Sequence, residues 1–102
     1  MKDEWLSALQ EWAKKHESIR ELWVFGSRAK GTAKPDSDLD VGIYLMPKEW
    51  AMGTYVALVG RKWEKELGAA LGATVNIRMV MPGTELDMEV KATGKRLWVR
   101  ED

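Results

Sequence analysis

The chain has 102 residues, 45% of them hydrophobic, which is enough for one core and too short for separate catalytic and substrate domains, so one domain over residues 1–102 is expected. Its 16 basic and 16 acidic side chains cancel, leaving no net field to draw in bulk nucleic acid. The absence of cysteine excludes disulfides, thiolate nucleophiles and zinc–cysteine sites, and it suits a reducing, cytoplasmic compartment.

The N-terminal MKDEWLSALQEW is polar and amphipathic, unlike the charged-then-apolar pattern of a secretory leader, and no run reaches transmembrane length, so no membrane association is expected. From Asp3 to about Glu17, Trp5, Leu6, Leu9, Trp12 and Ala13 recur at three-to-four spacing, which predicts an amphipathic helix with Asp3 as its N-cap. Ile19 to Phe25 is a short, dense apolar run ended by Gly26, the pattern of a buried strand. Gly31, Thr32 and Lys34-Pro35-Asp36 then punctuate a loop. Asp38 to Leu45 predicts a second strand, with Asp38, Asp40 and Gly42 on one face and Leu39, Val41 and Ile43 on the other.

After Pro47, the residues Met52, Val56, Val59, Trp63 and Leu67 predict a second amphipathic helix running to Gly68. Thr74 to Met81 reads as a third strand beside the second, with Val75, Ile77, Met79 and Met81 inward and Asn76, Arg78 and Val80 opposite. A Pro82-Gly83 turn leads into a short polar helix from Thr84 to about Ala92, expected on the sheet's far side from the acids. Arg96 to Arg100 forms a last extended piece. No repeat or low-complexity tract interrupts this order, which predicts a compact α/β domain.

The chemistry concentrates in Gly26-Ser27, ten residues, and Asp38-Leu39-Asp40. Two carboxylates one residue apart on a strand point the same way and offer the hard oxygen ligands that Mg²⁺ prefers. A glycine-serine turn before them allows close backbone approach and adds a hydroxyl, and Arg28 stands next to it as a phosphate contact. Lys30 and Lys34 share the loop and are either further phosphate contacts or solvated side chains.

The segment LWVFGSRAKGTAKPDSDLDVGIYL, Leu22 to Leu45, resembles the signature of the DNA polymerase β-like nucleotidyltransferase superfamily. Within it the closest likeness is to the minimal nucleotidyltransferases, the MNT proteins. The resemblance is strong over residues 19–45 and rests on element order elsewhere. It implies a fold of class α/β (α+β), a small mixed sheet flanked by helices. It also implies that Gly26 and Ser27 hold the β- and γ-phosphates of a nucleotide, while Asp38 and Asp40 bind Mg²⁺ and act in catalysis.

Families of this type carry a third carboxylate on the next core strand, and that position falls here on Asn76. An amide ligates Mg²⁺ weakly and is no general base at neutral pH, so Asn76 stands open between a weak ligand and a plain strand residue. Glu85, Asp87 or Glu89 from the following helix are the alternative source of the missing acid, as is the acceptor substrate itself. MNT proteins typically accompany a helical HEPN protein in toxin–antitoxin pairs and transfer AMP to a tyrosine of it. The resemblance thus implies ATP as donor, a HEPN-type partner carrying the acceptor hydroxyl, and an antitoxin role, with oligomeric state left open. The alternative is a catalytically impaired module that docks a partner.

The remaining residues give weaker signals. His16, the single histidine, closes no triad and reads as a solvated or helix-dipole-compensating residue. Trp5, Trp12, Trp23 and Trp63 fall on apolar faces and read as core. Trp50, Trp98, Tyr44, Tyr55 and the methionines each read singly as core, and as a set they suggest an exposed docking patch.

Overall fold

A computed structural model of the protein describes residues 3–26, 38–47 and 53–101, without the side chains of residues 53–59. Helix α1 (Asp3–Lys15) precedes strand β1 (Ile19–Phe25) and strand β2 (Leu39–Leu45). Helix α2 (Gly53–Leu71), strand β3 (Val75–Met79), helix α3 (Glu85–Thr93) and strand β4 (Lys95–Val99) follow. The strands form one mixed sheet in the order β3-β2-β1-β4. β1 pairs antiparallel with both β2 and β4, and β3 runs parallel to β2. A parallel neighbour needs a crossover, and α2 supplies it.

The period-two pattern of β2 sends its two sets of side chains into two different clusters. Leu39, Val41, Ile43 and Leu45 pack with Trp5, Leu9 and Ala13 of α1 and with Trp63, Leu67 and Leu71 of α2, all buried. On the opposite face Tyr44 joins Phe25, Val80 and Val90 in a smaller cluster, with Trp23 and Leu86 beside it. Leu86 and Val90 belong to α3, so α3 covers the face that carries Asp40, not the far side expected from the sequence. Val80, directly after β3, is 1% exposed on that face and donates its N–H to the Ile43 carbonyl at 2.8 Å, and the chain passes from it to α3 over the second cluster.

Boundaries shift by small amounts. Asp3 lies in the first turn of α1 instead of preceding it. α2 runs past Gly68 and ends at Leu71, just before Gly72, whose φ of +67° suits a residue without Cβ and whose N–H donates to the Gly68 carbonyl at 2.8 Å. Arg100 ties β4 back to the end of α1, donating from Nε to the Ile19 carbonyl at 3.0 Å and from Nη2 to the carbonyls of His16 and Ala13 at 3.1 and 3.3 Å. The Ala13 and His16 carbonyls lie in the last turn of α1 and just past it, where the regular helical donors run out. Among the described residues no helix is long and apolar enough to cross a membrane.

The aromatic residues divide by environment. Trp5 and Trp63 are buried, whereas Trp12 and Trp23 are half-buried and direct their indole N–H to Glu66 at 3.3 Å and Glu21 at 3.0 Å. Large rings with one polar atom settle at such positions because the N–H requires an acceptor. His16 is half-buried between Trp12 and Trp63, with Nδ1 2.7 Å from the Trp12 carbonyl and Nε2 3.7 Å from Glu66, so it is packed rather than solvated. Tyr44 is 4% exposed and takes no part in an exposed patch. Trp50 and the Tyr55 side chain lie outside the described residues.

Candidate functional site

β1 ends at Phe25, and Gly26 turns the chain with φ of +75°, a conformation that side chains with a Cβ rarely adopt. Sterics make the same demand, since a Cβ at Gly26 would stand 2.5 Å from Oδ2 of Asp40. The turn and the second acid of the Asp-x-Asp pair are therefore in direct contact. Phe25 and Asp40 are register partners across the antiparallel pair, which is why the end of β1 delivers Gly26 to that carboxylate.

Asp40 is also the register partner of Asn76 across the parallel pair. Asp38, exposed just before β2 begins, accepts a hydrogen bond from Nδ2 of Asn76 at 2.9 Å on its Oδ2. Gly26, Asp38, Asp40 and Asn76 thus meet at one end of the sheet, contributed by three neighbouring strands. A carboxylate only accepts, so the amide NH₂ of Asn76 must face Asp38. Ser27, Arg28, Lys30 and Lys34 lie outside the described residues.

The helix alternative for a third acid resolves differently from either reading of the sequence. α3 does share the face of Asp40, but its buried acid, Asp87, is placed at Tyr44, four residues along β2 from Asp40. That separation is about 13 Å along a strand. Asp87 is also fully engaged: Oδ1 accepts from the Tyr44 hydroxyl at 2.5 Å and lies 3.3 Å from Nζ of Lys91, while Oδ2 accepts from the Gly83 N–H at 2.9 Å. The hydrogen bond from Tyr44, then that from Gly83, holds the Asp87 carboxyl below its ordinary value. Burial, reinforced by the hydrogen bond to Asp87, pushes the Tyr44 hydroxyl well above the ordinary tyrosine value. Glu85 and Glu89 are exposed.

This Tyr44–Asp87 pair was invisible to periodicity, although a signal existed. Thr84 and Asp87 stand at the spacing of a capping box. Thr84 is indeed the N-cap of α3, its Oγ1 accepting from the Asp87 N–H at 3.2 Å.

Among the described residues no three His, Cys, Asp or Glu side chains are grouped so as to hold a metal ion. The donors that do converge, two carboxylates beside a glycine that leaves room for them, fit a hard divalent cation bound jointly with substrate phosphates. Mg²⁺ characteristically uses one or two carboxylates in that way.

Comparison with known proteins agrees with this fold. A family model described as "Polymerase beta, Nucleotidyltransferase" matches residues 7–102. A chain from a crystal structure of a toxin–antitoxin with AMP-PNP superposes with a TM-score of 0.74 at 18% identity, covering 94% of this chain and 74% of that one. A chain from the structure of a tri-AMPylated Shewanella oneidensis HEPN toxin in complex with MNT antitoxin gives 0.66 at 15% identity, covering 94% and 71%. A chain from an MntA–HepT toxin–antitoxin structure gives 0.66 at 15% identity over the same shares. At these identities the likeness is one of fold. A search of curated proteins returned no match.

Proposed function

This chain belongs to the polymerase β nucleotidyltransferase family, and we propose that it transfers AMP from ATP to a hydroxyl of a partner protein, as the antitoxin of a HEPN/MNT-type pair. The observation that carries this reading is the contact of the Gly26 turn with the Asp40 carboxylate, next to Asp38 and Asn76. Gly26 brings backbone close to the site, and with Ser27 and Arg28 it holds the terminal phosphates. Asp38 and Asp40 hold Mg²⁺, which when bound neutralises triphosphate charge and orients it. The acceptor oxygen bonds to the α-phosphorus, the bond to the bridging oxygen of pyrophosphate breaks, and the hydroxyl proton is released to water.

The structural neighbours support the choice of donor and partner, one having been solved with AMP-PNP and another containing an AMPylated HEPN toxin. Asn76 serves as a positioning residue: its amide donates to Asp38 and fixes the orientation of that carboxylate. The test is transfer of label from α-labelled ATP, in Mg²⁺, to a co-expressed HEPN-type protein. Label should reach the partner with the parent chain and not with Asp40→Ala. Absence of transfer with the parent chain under every nucleotide would sink the reading.

One observation favours a second reading, a module that docks its partner without turnover. Asn76, where the resemblance leads one to expect the family's third acid, carries an amide that already donates to Asp38, and an amide supplies neither charge nor a base. Calorimetry separates the two, because docking alone would leave partner affinity untouched by Asp40→Ala while no label moves.

A further inference from the structure

β3 is an outer strand of the sheet, and among the described residues nothing pairs with its free edge. Leu39 donates to the Thr74 carbonyl and Val80 to the Ile43 carbonyl, so even-numbered residues of β3 bond to β2 and the N–H and C=O of Val75, Ile77 and Met79 point outward. The outward N–H of Ile77 is met by a side chain: Oε2 of Glu64, from α2, accepts it at 2.7 Å. The carboxylate oxygen sits where the carbonyl of an added strand would lie. Exchanging one acceptor for the other leaves the donor satisfied throughout.

Beside this edge, two cavities of about 290 and 420 Å³ adjoin through Arg61 and Glu64 and form a groove between α2 and β3 along the length of the strand. Exposed Arg61, Lys65 and Arg78 flank it, and none of the three is in an ion pair among the described residues. Against the single Glu64 they leave the groove positive, in a chain whose overall charge is zero. A second copy adding through its own β3 would bring a second set of the same cations onto the first, so self-pairing is opposed. Exposed strand edges are templates for strand addition, and charge decides which partner they accept.

We propose that the β3 edge and its groove receive an extended acidic segment of a partner protein by strand addition, with Glu64 as the displaceable placeholder. The proposal stands apart from the transfer reaction, and Asp40→Ala should leave it unchanged. The test uses the full chain and two fluorescent seven-residue peptides of alternating threonine or valine with glutamate in one and lysine in the other. The glutamate peptide should bind at least tenfold more tightly by anisotropy, and Arg78→Glu should weaken it at least fivefold. Glu64→Ala should tighten binding more than Glu64→Gln, since both remove the charge but only the amide still offers an acceptor to Ile77. In ¹⁵N NMR the amides of Val75, Ile77 and Met79 should shift. Equal affinity for the two peptides, no binding at millimolar concentration, shifts confined to other strands, self-association through β3, or preferential binding of an oligouridylate would each overturn the proposal.

Discussion

The two faces of the sheet are built on different principles. The face of Leu39, Val41 and Ile43 is closed along its length by α1 and α2, and its cohesion is hydrophobic burial. The opposite face is shared. One end, at Tyr44, is closed by α3 through a small apolar cluster and the Tyr44–Asp87 hydrogen bond, while the other end carries Asp38, Asp40 and Gly26. Among the described residues α3 is shorter than the sheet face it covers and does not reach the end of Asp38 and Asp40, the end proposed above to hold the nucleotide. The contrast predicts that substitutions on the first face act on stability and those at the open end act on chemistry.

The largest effect should come from the closed face. Leu22→Ala empties a fully buried position in the main cluster and should cost about 2–5 kcal/mol in urea unfolding. A loss under about 1 kcal/mol would mean that this face is loosely packed. Asp40→Ala reverses the pattern: unfolding should change by about 0.5 kcal/mol or less, while transfer falls at least ~100-fold, about 2.7 kcal/mol in activation free energy. Loss of folding in that variant would erase the distinction between the faces.

Gly94→Ala probes the junction between them. Its Cβ would stand 2.5 Å from the Val90 carbonyl oxygen, 2.9 Å from that of Val24 and 3.2 Å from Cβ of Phe25, directly before the Gly26 turn. Destabilisation of about 1–3 kcal/mol is expected, accompanied by weaker nucleotide binding as the turn is displaced.

A smaller effect, sharper in its pH dependence, belongs to the Tyr44–Asp87 lock. Asp87 has a folded value below its unfolded 3.8, so its stabilisation is present above that pH and is lost as pH falls through the folded value. Tyr44 has a folded value raised above its unfolded 10.0, so its contribution is complete below pH 10 and declines as pH rises beyond it. Tyr44→Phe should abolish the alkaline limb of the stability profile and leave the main-face variants' behaviour unchanged. The smallest effect is that of Met88→Gln, at 69% exposure on the outer side of α3, expected within about 0.5 kcal/mol of the parent.

Much of this was legible from residue order. β1 runs from Ile19 to Phe25, as its apolar run and Gly26 predict, and β3 lies beside β2 as expected. The alternation of β2 correctly separates Asp40 from Leu39 and Val41, because a pleated strand allows no other arrangement once one face is buried. The side of the sheet taken by α3 was not legible. It depends on which side chains α3 meets beside Val80, Tyr44 and Phe25, and local periodicity holds no record of what lies across a sheet. For the same reason local periodicity does not show what covers Tyr44, which is buried by a helix more than 40 residues away in sequence.

The sequence by itself determined the elements, the family resemblance and the likeness of Gly26, Asp38 and Asp40 to a metal–nucleotide motif, since these depend on side-chain type and spacing within short stretches. Tertiary structure alone decided that Asn76 hydrogen-bonds Asp38, that Asp87 is committed to Tyr44, and that Glu64 occupies the edge of β3. Each of those contacts joins residues brought together by strand register or helix docking, and the free energy that selects them is distributed over the whole core.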